Sequence, residues 1–447
     1  MSATLEQAIQ LKQQLVDFVY DAEDELAVAL EKYAAAQGSR DRQDIRQQNL
    51  VVDTFLTEGK VENKTPIDLF LEDCDHLSSD ERQIIQDWKQ SFTGLFEVIE
   101  SSSSEVKLIN WLTAKYYVAM PTLEVPESEI QRWKVGEIIL TRLSPLTPDN
   151  WMFSGASLPK GSLSQPKLAV AIGEFKQNYP DSLYSDAPEL LEQAWESVYQ
   201  YHQEFVDFFG SDKITLPGYK LNQKIAELQE KMAQKQLEAA GVDPSKSLSE
   251  IIQEMGSDTT EVKAGAEAVG ADAELLDQAL SQKANSAMIT PKVELPNEIK
   301  QAENVTAFSH PRWGQMFIPS YTQFVNVLKA EDLETQPNAE ALVQKYLKDN
   351  TINYYIWQQL QTDYSSQLEA LLRQVLERPD FNLESDLEPL LQEYNKPLEP
   401  QLSEMASVPL HLHHLFQEAV AQVSRSKSKS KSKKKKSKGF SILINPD

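Results

Sequence analysis

FTGLFEVIE (92–100), EVKLINWLTAKYYVAM (105–120), VGEIILTRLSPL (135–146) and NWMFSG (150–155) are the stretches of this chain that read as β-sheet; nearly everything else reads as helix. Leu95, Glu97 and Ile99 alternate against Phe96, Val98 and Glu100. Val106, Leu108 and Asn110 do the same against Lys107, Ile109 and Trp111. A period of two in short runs rich in Val, Ile, Tyr, Phe and Trp is the mark of a strand with one buried face. The runs are split by turn formers at Ser101–Ser104, Pro121–Pro126 and Leu146–Asn150. Five or six short antiparallel strands, curled into a small sheet or barrel, are expected. Such a sheet either binds nucleic acid or peptide on one face or gives helices a core to pack on. Nucleic-acid binding asks for cations between exposed aromatics. Here Lys107, Lys115, Arg132, Lys134 and Arg142 are outnumbered by Glu97, Glu100, Glu105, Glu124, Glu127, Glu129 and Glu137. That balance favours a structural module.

Upstream, apolar positions at three- and four-residue spacing from Leu5 to Leu30 predict one amphipathic helix of about thirty residues. A second helix follows over Ile45–Leu56. Thr65-Pro66 opens a third, and Ser79 with Asp80 and Glu81 opens a fourth. Downstream, Pro166–Asn178 and the aromatic Pro188–Gly210 read as helices, the aromatic stripe as core rather than as a ligand pocket. Lys220–Ala307 contains no Phe, Trp or Tyr. It reads as a loosely packed helical connector, with a short coiled-coil arm around Leu221, Ile225, Leu228 and Met232 as the alternative. PRWGQMFIPSY (311–321) reads as an aromatic loop, and the rest up to Val423 as helices punctuated by prolines.

The expected fold class is therefore α+β, mainly α, with N-terminal helices plus a small antiparallel β-module and then an all-helical C-terminal lobe. The expected segments are 1–90 (helical unit), 91–160 (β-module), 161–219 (aromatic helices), 220–307 (low-aromatic connector), 308–424 (helical lobe) and 425–447 (disordered basic tail with an apolar end).

The chain has 447 residues, 41% of them hydrophobic and 25% charged, which fits a soluble protein of two or three domains. No apolar run approaches the roughly 20 residues of a membrane span, and the N-terminus lacks the pattern of a signal peptide. The single cysteine, Cys74, excludes a disulfide framework within one chain. A cytoplasmic location is the expectation, with attachment to the periphery of a membrane as the open alternative.

The net charge of −25 is unevenly spread. Nine of the 43 basic residues fall in RSKSKSKSKKKKSK (425–438), which contains no acid. That leaves 34 basic against 68 acidic residues elsewhere. The polyanion-binding candidates are Arg425, Lys427, Lys429, Lys431, Lys433, Lys434, Lys435, Lys436 and Lys438. Such a run binds RNA by counterion release or docks on anionic lipid; its plainer role is to solubilise. Phosphates on its serines would cancel local charge. The FSILI at 440–444 either adds a strand to an open sheet edge or frays, the frayed end being the plainer reading.

Chemistry is thinly signalled. His411, His414 and Glu418 share one helix face and form the nearest approach to a metal-ligand set, though without a base for a bound water. Cys74 lies among Glu72, Asp73, Asp75 and His76, whose carboxylates raise a thiol pKa and disfavour a nucleophile. Phosphate cradles such as GxGxxG and GxxxxGK[ST], and the GxSxG elbow, do not occur. No cofactor is expected.

LSSDERQIIQDWKQSFTGLFEVIE (77–100), INWLTAKYYVAM (109–120) and GEIILTRLSPLTPDNWMFSG (136–155) resemble a module of conserved uncharacterised proteins of cyanobacterial or plastid type, over Leu77–Gly155. The resemblance implies a soluble photosynthetic-prokaryote or plastid-type context and no activity. The function expected is a non-catalytic interaction or assembly factor: an acidic body for a protein partner and a tail for an anionic surface. An RNA- or ribosome-associated protein, or an enzyme with an unrecognised site, are the alternatives.

Overall fold

The structure is a computed structural model that describes residues 3–36, 45–239, 288–290, 293–330, 339–420 and 422–423. The chain divides into two units, Met1–Leu191 with Pro409–Asp447, and Glu192–Val408.

The first unit opens with α1 (Ala3–Tyr20), α2 (Glu25–Ala36), α3 (Ile45–Glu58), α4 (Pro66–Asp73) and α5 (Ser79–Asp87). The long helix expected over the first thirty residues is broken. Asp24 accepts a hydrogen bond from the Leu26 N–H and starts α2 afresh, the usual competition of Asp with helix propagation. Capping boxes fix the next two starts. Thr65 and Asp68 cap α4, and Ser78, one residue before the position read from sequence, pairs with Glu81 to cap α5. The helices bury Leu11, Leu15, Phe55, Phe70, Ile85 and Trp88 together with Leu146 and Met152 of the barrel region.

The sheet is a closed barrel. Its strands are β1 (Phe92–Ser101), β2 (Val106–Asn110), β3 (Tyr116–Met120), β4 (Ile138–Pro145) and β5 (Trp151–Phe153), with the short helix α6 (Glu127–Ile130) before β4. The order is β1-β2-β3-β5-β4, closed by pairing of β4 with β1; β6 (Leu158–Gly161) adds to the outer edge of β4. The small all-antiparallel module expected from sequence is corrected on two points. The barrel is closed, and β3 pairs with β5 in parallel, Ala119 opposite Trp151 and Met120 opposite Met152. The length of β1 explains closure. Its first half pairs with β4 and its second with β2, so that Phe96 faces both Ile139 and Asn110. The strand bends through the irregularity between Val98 and Glu100, and at Gly94 a Cβ would stand 2.7 Å from the Phe96 ring. This five-stranded Greek-key barrel has the layout of an OB-type fold. Phe92, Phe96, Tyr117 and Trp151 fill it with ring centroids 5.2–6.0 Å apart.

The barrel wall differs from side to side. Where β1 meets β4 it lies under α3 and α5. Along β2 and β3 the outward side chains Lys107 and Tyr116 are exposed, Tyr116 by 71%. The unit is completed by α7 (Gln165–Asn178), the first turn of α8 (Pro188–Phe209) and a helix at 410–420.

The second unit corrects the all-helical C-terminal lobe. It holds a three-stranded antiparallel sheet of β7 (Lys213–Leu216), β8 (Val305–His310) and β9 (Gly314–Ile318), with β8 central. The stretch read as an aromatic loop is the turn and second strand of a β-hairpin, entered through Gly314 at φ +69°. Around the sheet pack α9 (Gly218–Ala239) and helices Tyr321–Leu328, Ala339–Lys348, Tyr354–Val375 and Leu383–Glu393. Leu221, Ile225 and Leu228 of α9 are buried with Tyr201, Phe205 and Val305, so the stripe weighed as a coiled-coil arm lies in this unit's own core. Residues 240–287 of the expected connector, and the whole of 424–447, lie outside the described residues.

Candidate functional site

A fully buried arginine in a hydrophobic strand demands partners, because an isolated charge there costs many kcal/mol. Arg142 on β4 is such a residue, with none of its side chain exposed. Nη1 donates to Glu58 Oε1 at 2.8 Å and Thr93 Oγ1 at 3.2 Å; Nη2 donates to the Ser91 carbonyl at 3.1 Å and to the Thr57 hydroxyl. Nε lies 3.4 Å from Asp53 Oδ2. Three of these partners, Asp53, Thr57 and Glu58, come from successive turns of α3, which explains why that helix lies across β4.

Asp53 is shared. Its other oxygen receives the Lys12 ammonium of α1 and the Ser154 hydroxyl, the latter at 2.9 Å. Lys12 also donates to Ser154 Oγ at 2.9 Å and stands 5.5 Å above the Trp88 ring. Two cations thus flank one carboxylate. The Lys12–Asp53–Ser154 side of the cluster forms the floor of a pocket of about 160 Å³. Its walls come from α1 (Ile9, Val16, Tyr20), α3 (Asn49, Val52), the loop after β3 (Thr122–Glu124) and the end of β5.

A second polar cluster ties the barrel to the loop before α8. Three donors converge on Asp186 Oδ2: Tyr117 OH at 2.6 Å, Thr113 Oγ1 at 2.8 Å and Asn110 Nδ2 at 3.1 Å. Lys115 donates to the Asp186 carbonyl at 2.8 Å. Burial, then the Asp186 charge, holds the Tyr117 phenol far above its usual range, so it stays a donor.

Residues 5–215 match the model of a family of unknown function, DUF7986. The matched span covers α1 from Leu5 onward, α2–α8, the barrel, the pocket and β7 up to Thr215, and it encloses the stretch 77–155 whose resemblance was read from sequence. Searches of curated proteins and of solved structures return no match.

Of the residues singled out in the sequence, His411, His414, Glu418 and Cys74 are not among those that line this pocket. His411 is half-buried, and its Nε2 donates to the Trp111 carbonyl at 2.7 Å; burial lowers its pKa, with that bond opposing. Glu418 accepts from Gln165 at the start of α7, and His414 is exposed. Among the described residues no three His, Cys, Asp or Glu side chains gather as a metal-holding group. Burial, then Asp73, pushes the Cys74 thiol up, as the neighbouring carboxylates suggested. No described helix is long and apolar enough to cross a membrane. The nine tail cations lie outside the described residues.

Lys12, Asp53 and Ser154 were missed in sequence, and Arg142 was counted among the strand's solvent cations. A signal existed. Lys12 and Asp53 lie beside apolar neighbours in amphipathic helices, and Arg142 interrupts IILTRL, where a solvated cation would be out of place.

Proposed function

We propose that this chain is a non-catalytic interaction or assembly factor that holds a basic protein segment on the outer face of its barrel. The observation that carries the reading is the wall of β1–β3, where Lys107, Tyr116 and Ile99 are exposed among the described residues. There the register aligns Glu97, Ile109 and Tyr116 in one row across the three strands, with Glu100, Lys107 and Val118 aligned beside them. Tyr116 and Ile99 are exposed, Lys107 is neutralised by Glu100 at 2.7 Å, and Glu97 forms the β1 end of the row, with Trp111 Nε1 donating to its Oε2 at 2.9 Å. An apolar strip centred on a tyrosine and edged by carboxylates suits a partner segment that carries cations around an apolar anchor. The same carboxylates oppose a phosphate backbone on this face.

The basic run 425–438 is the second part of the proposal: it localises the protein on an anionic surface, in the photosynthetic-prokaryote or plastid-type context that the sequence resemblance implies. It follows the helix 410–420, which His411 and Glu418 fasten to Trp111 and Gln165 of the barrel unit, and Gln422 beyond it also donates to Gln165. Face and tail root therefore belong to one unit.

Affinity purification from the native cell tests both parts, using the full chain, an Ile109→Asp/Tyr116→Ala variant and a chain lacking 425–447, each with and without nuclease. The expected result is a protein partner that survives nuclease, is lost with the face variant and is retained by the tail-less chain. Capture unchanged by the face variant would overturn the docking role, and capture abolished by nuclease would give the function to RNA association.

A further inference from the structure

Exposed apolar side chains are ordinary when scattered and informative when they gather around a cavity. Three of them gather at the pocket above Asp53. Tyr20 and Leu123, 58% and 69% exposed, line it. Ile45, 71% exposed, lies one turn before the lining residue Asn49 on the same face of α3. Beneath them the half-buried Val16 and Val52 form an apolar wall. The volume, about 160 Å³, is close to the roughly 150 Å³ cavity that holds benzene, and so admits one aromatic or branched side chain. We propose that this pocket is the socket for a Leu, Ile or Phe side chain of the basic protein segment held by the barrel wall. The socket presupposes the docking role proposed above, to which it adds a second contact.

On the floor the charges are already matched. Lys12 is paired with Asp53, and Arg142, which is not part of the lining, is balanced by Asp53 and Glu58. The occupant of the pocket is therefore uncharged, and the rim sets what flanks it. Glu124 is an exposed member of the lining. Asp17, exposed on α1, accepts at 2.7 Å from Gln13 of the lining, and Asp21 follows Tyr20. Between Lys12 and Lys32 the chain carries six carboxylates and no Lys or Arg. Arg46, beside Ile45, is taken by Glu129 at 3.1 Å. Such a rim attracts cations on either side of an apolar anchor and repels an acidic segment. The position fits the first contact as well. Leu123 lies seven residues beyond Tyr116, along and just past β3. That interval spans at most about 25 Å, so an extended segment of about eight residues reaches both wall and socket.

A phage-displayed library of random peptides, about twelve residues long to exceed the reach required, tests this when selected on the full chain. The enriched peptides are then synthesised and followed by calorimetry and by methyl NMR of Val16, Val52 and Leu123. They should carry one Leu, Ile or Phe with Lys or Arg on both sides, and should shift those methyl groups. Replacing that residue by Ala should weaken them about tenfold or more, as for a buried anchor. Val16→Phe, which fills the pocket, should have a similar effect. So should Leu123→Ser, at an exposed position where folding is not at stake. Asp17→Lys/Glu124→Lys should weaken binding and flatten its salt dependence. Enrichment of acidic or uncharged peptides, or no enrichment, would overturn the socket. Peptides that are lost with Ile109→Asp/Tyr116→Ala but indifferent to Val16→Phe and Leu123→Ser would overturn it too, while leaving the docking role of the barrel wall standing.

Discussion

Lys396 shows how a single buried cation sets a pH response. It is 3% exposed, and its ammonium donates to the Asp349 and Ile352 carbonyls, at 2.7 and 2.8 Å, just past the end of helix Ala339–Lys348. Burial lowers its pKa from 10.5 to about 8, with Asp349 partly opposing. The unfolded chain then binds this proton more tightly than the folded one. Stability from this residue should rise as pH climbs from about 8 to 10.5, and below 8 the full penalty of the buried charge stands. A neutral amine keeps two N–H donors for the two carbonyls. Urea unfolding of the native chain and of Lys396→Met across that interval should therefore show the native chain gaining on the variant; parallel curves would mean that the residue is charged and unpenalised. Arg142 gives the opposite lesson. Its partners sit inside the fold, so Arg142→Ala strands Asp53 in a buried site and should cost about 3–5 kcal/mol, read as a lower urea midpoint. Combined with Asp53→Ala the loss should fall short of the sum, because each change removes the same contact.

Among the elements, strand existence was legible and strand pairing was not. The alternation in 92–120 is plain because β2 and the second half of β1 have one solvated face. Closure depended on β1 being long enough to serve two neighbours, a property of pairing rather than of pattern. The second unit's hairpin was invisible for a different reason. Val305 to Ser309 are buried on both faces, which erases the period of two, and the partner strand β7 lies about 90 residues upstream. The pocket was equally hidden, since its floor joins residues 12, 53 and 154 through the packing of α1 and α3 on the barrel. On the helix at 410–420, expected as part of the helical segment that ends at Val423, Leu412, Leu415 and Ala419 are enclosed, whereas Phe416 is half-buried and Val423, beyond it, is exposed. The attachment of this helix adds a testable pH dependence. His411 has its pKa lowered from 6.5 by burial. Its contribution is full above 6.5, where both states are neutral, and is lost as pH falls and the unfolded chain takes up the proton. Hydrogen exchange, corrected for intrinsic rates, should show the amides of 410–420 losing protection between about pH 7.5 and 5.5. In His411→Gln, where the amide can donate to the Trp111 carbonyl without titrating, that loss should be smaller; an unchanged loss would assign the effect to His413 or the neighbouring carboxylates.

For the whole molecule the governing quantity is the separation of charge between an acidic chain and its nine-cation run. Two forces compete for that run: the 68 carboxylates of the same chain and outside polyanions. Both are screened by salt, but only binding to a polyelectrolyte releases condensed counterions, which gives a log–log slope of about −0.7 per neutralised phosphate on a single strand. If all nine cations engage poly(U), the slope of log K against log salt should approach about −6; a slope near −2 would mean that most remain on the protein's own surface. Deleting 425–447 should abolish this binding and, on the sequence expectation that so dense a run of like charge buries no core, leave the melting temperature within about 1 °C. Vesicles with and without anionic lipid, titrated alongside poly(U), then rank the two surfaces: preference for the vesicles at matched salt supports localisation on a membrane, and preference for poly(U) supports the RNA-associated reading. Retained polyanion binding in the truncated chain would instead place the cationic site within the folded units, despite their acidic balance.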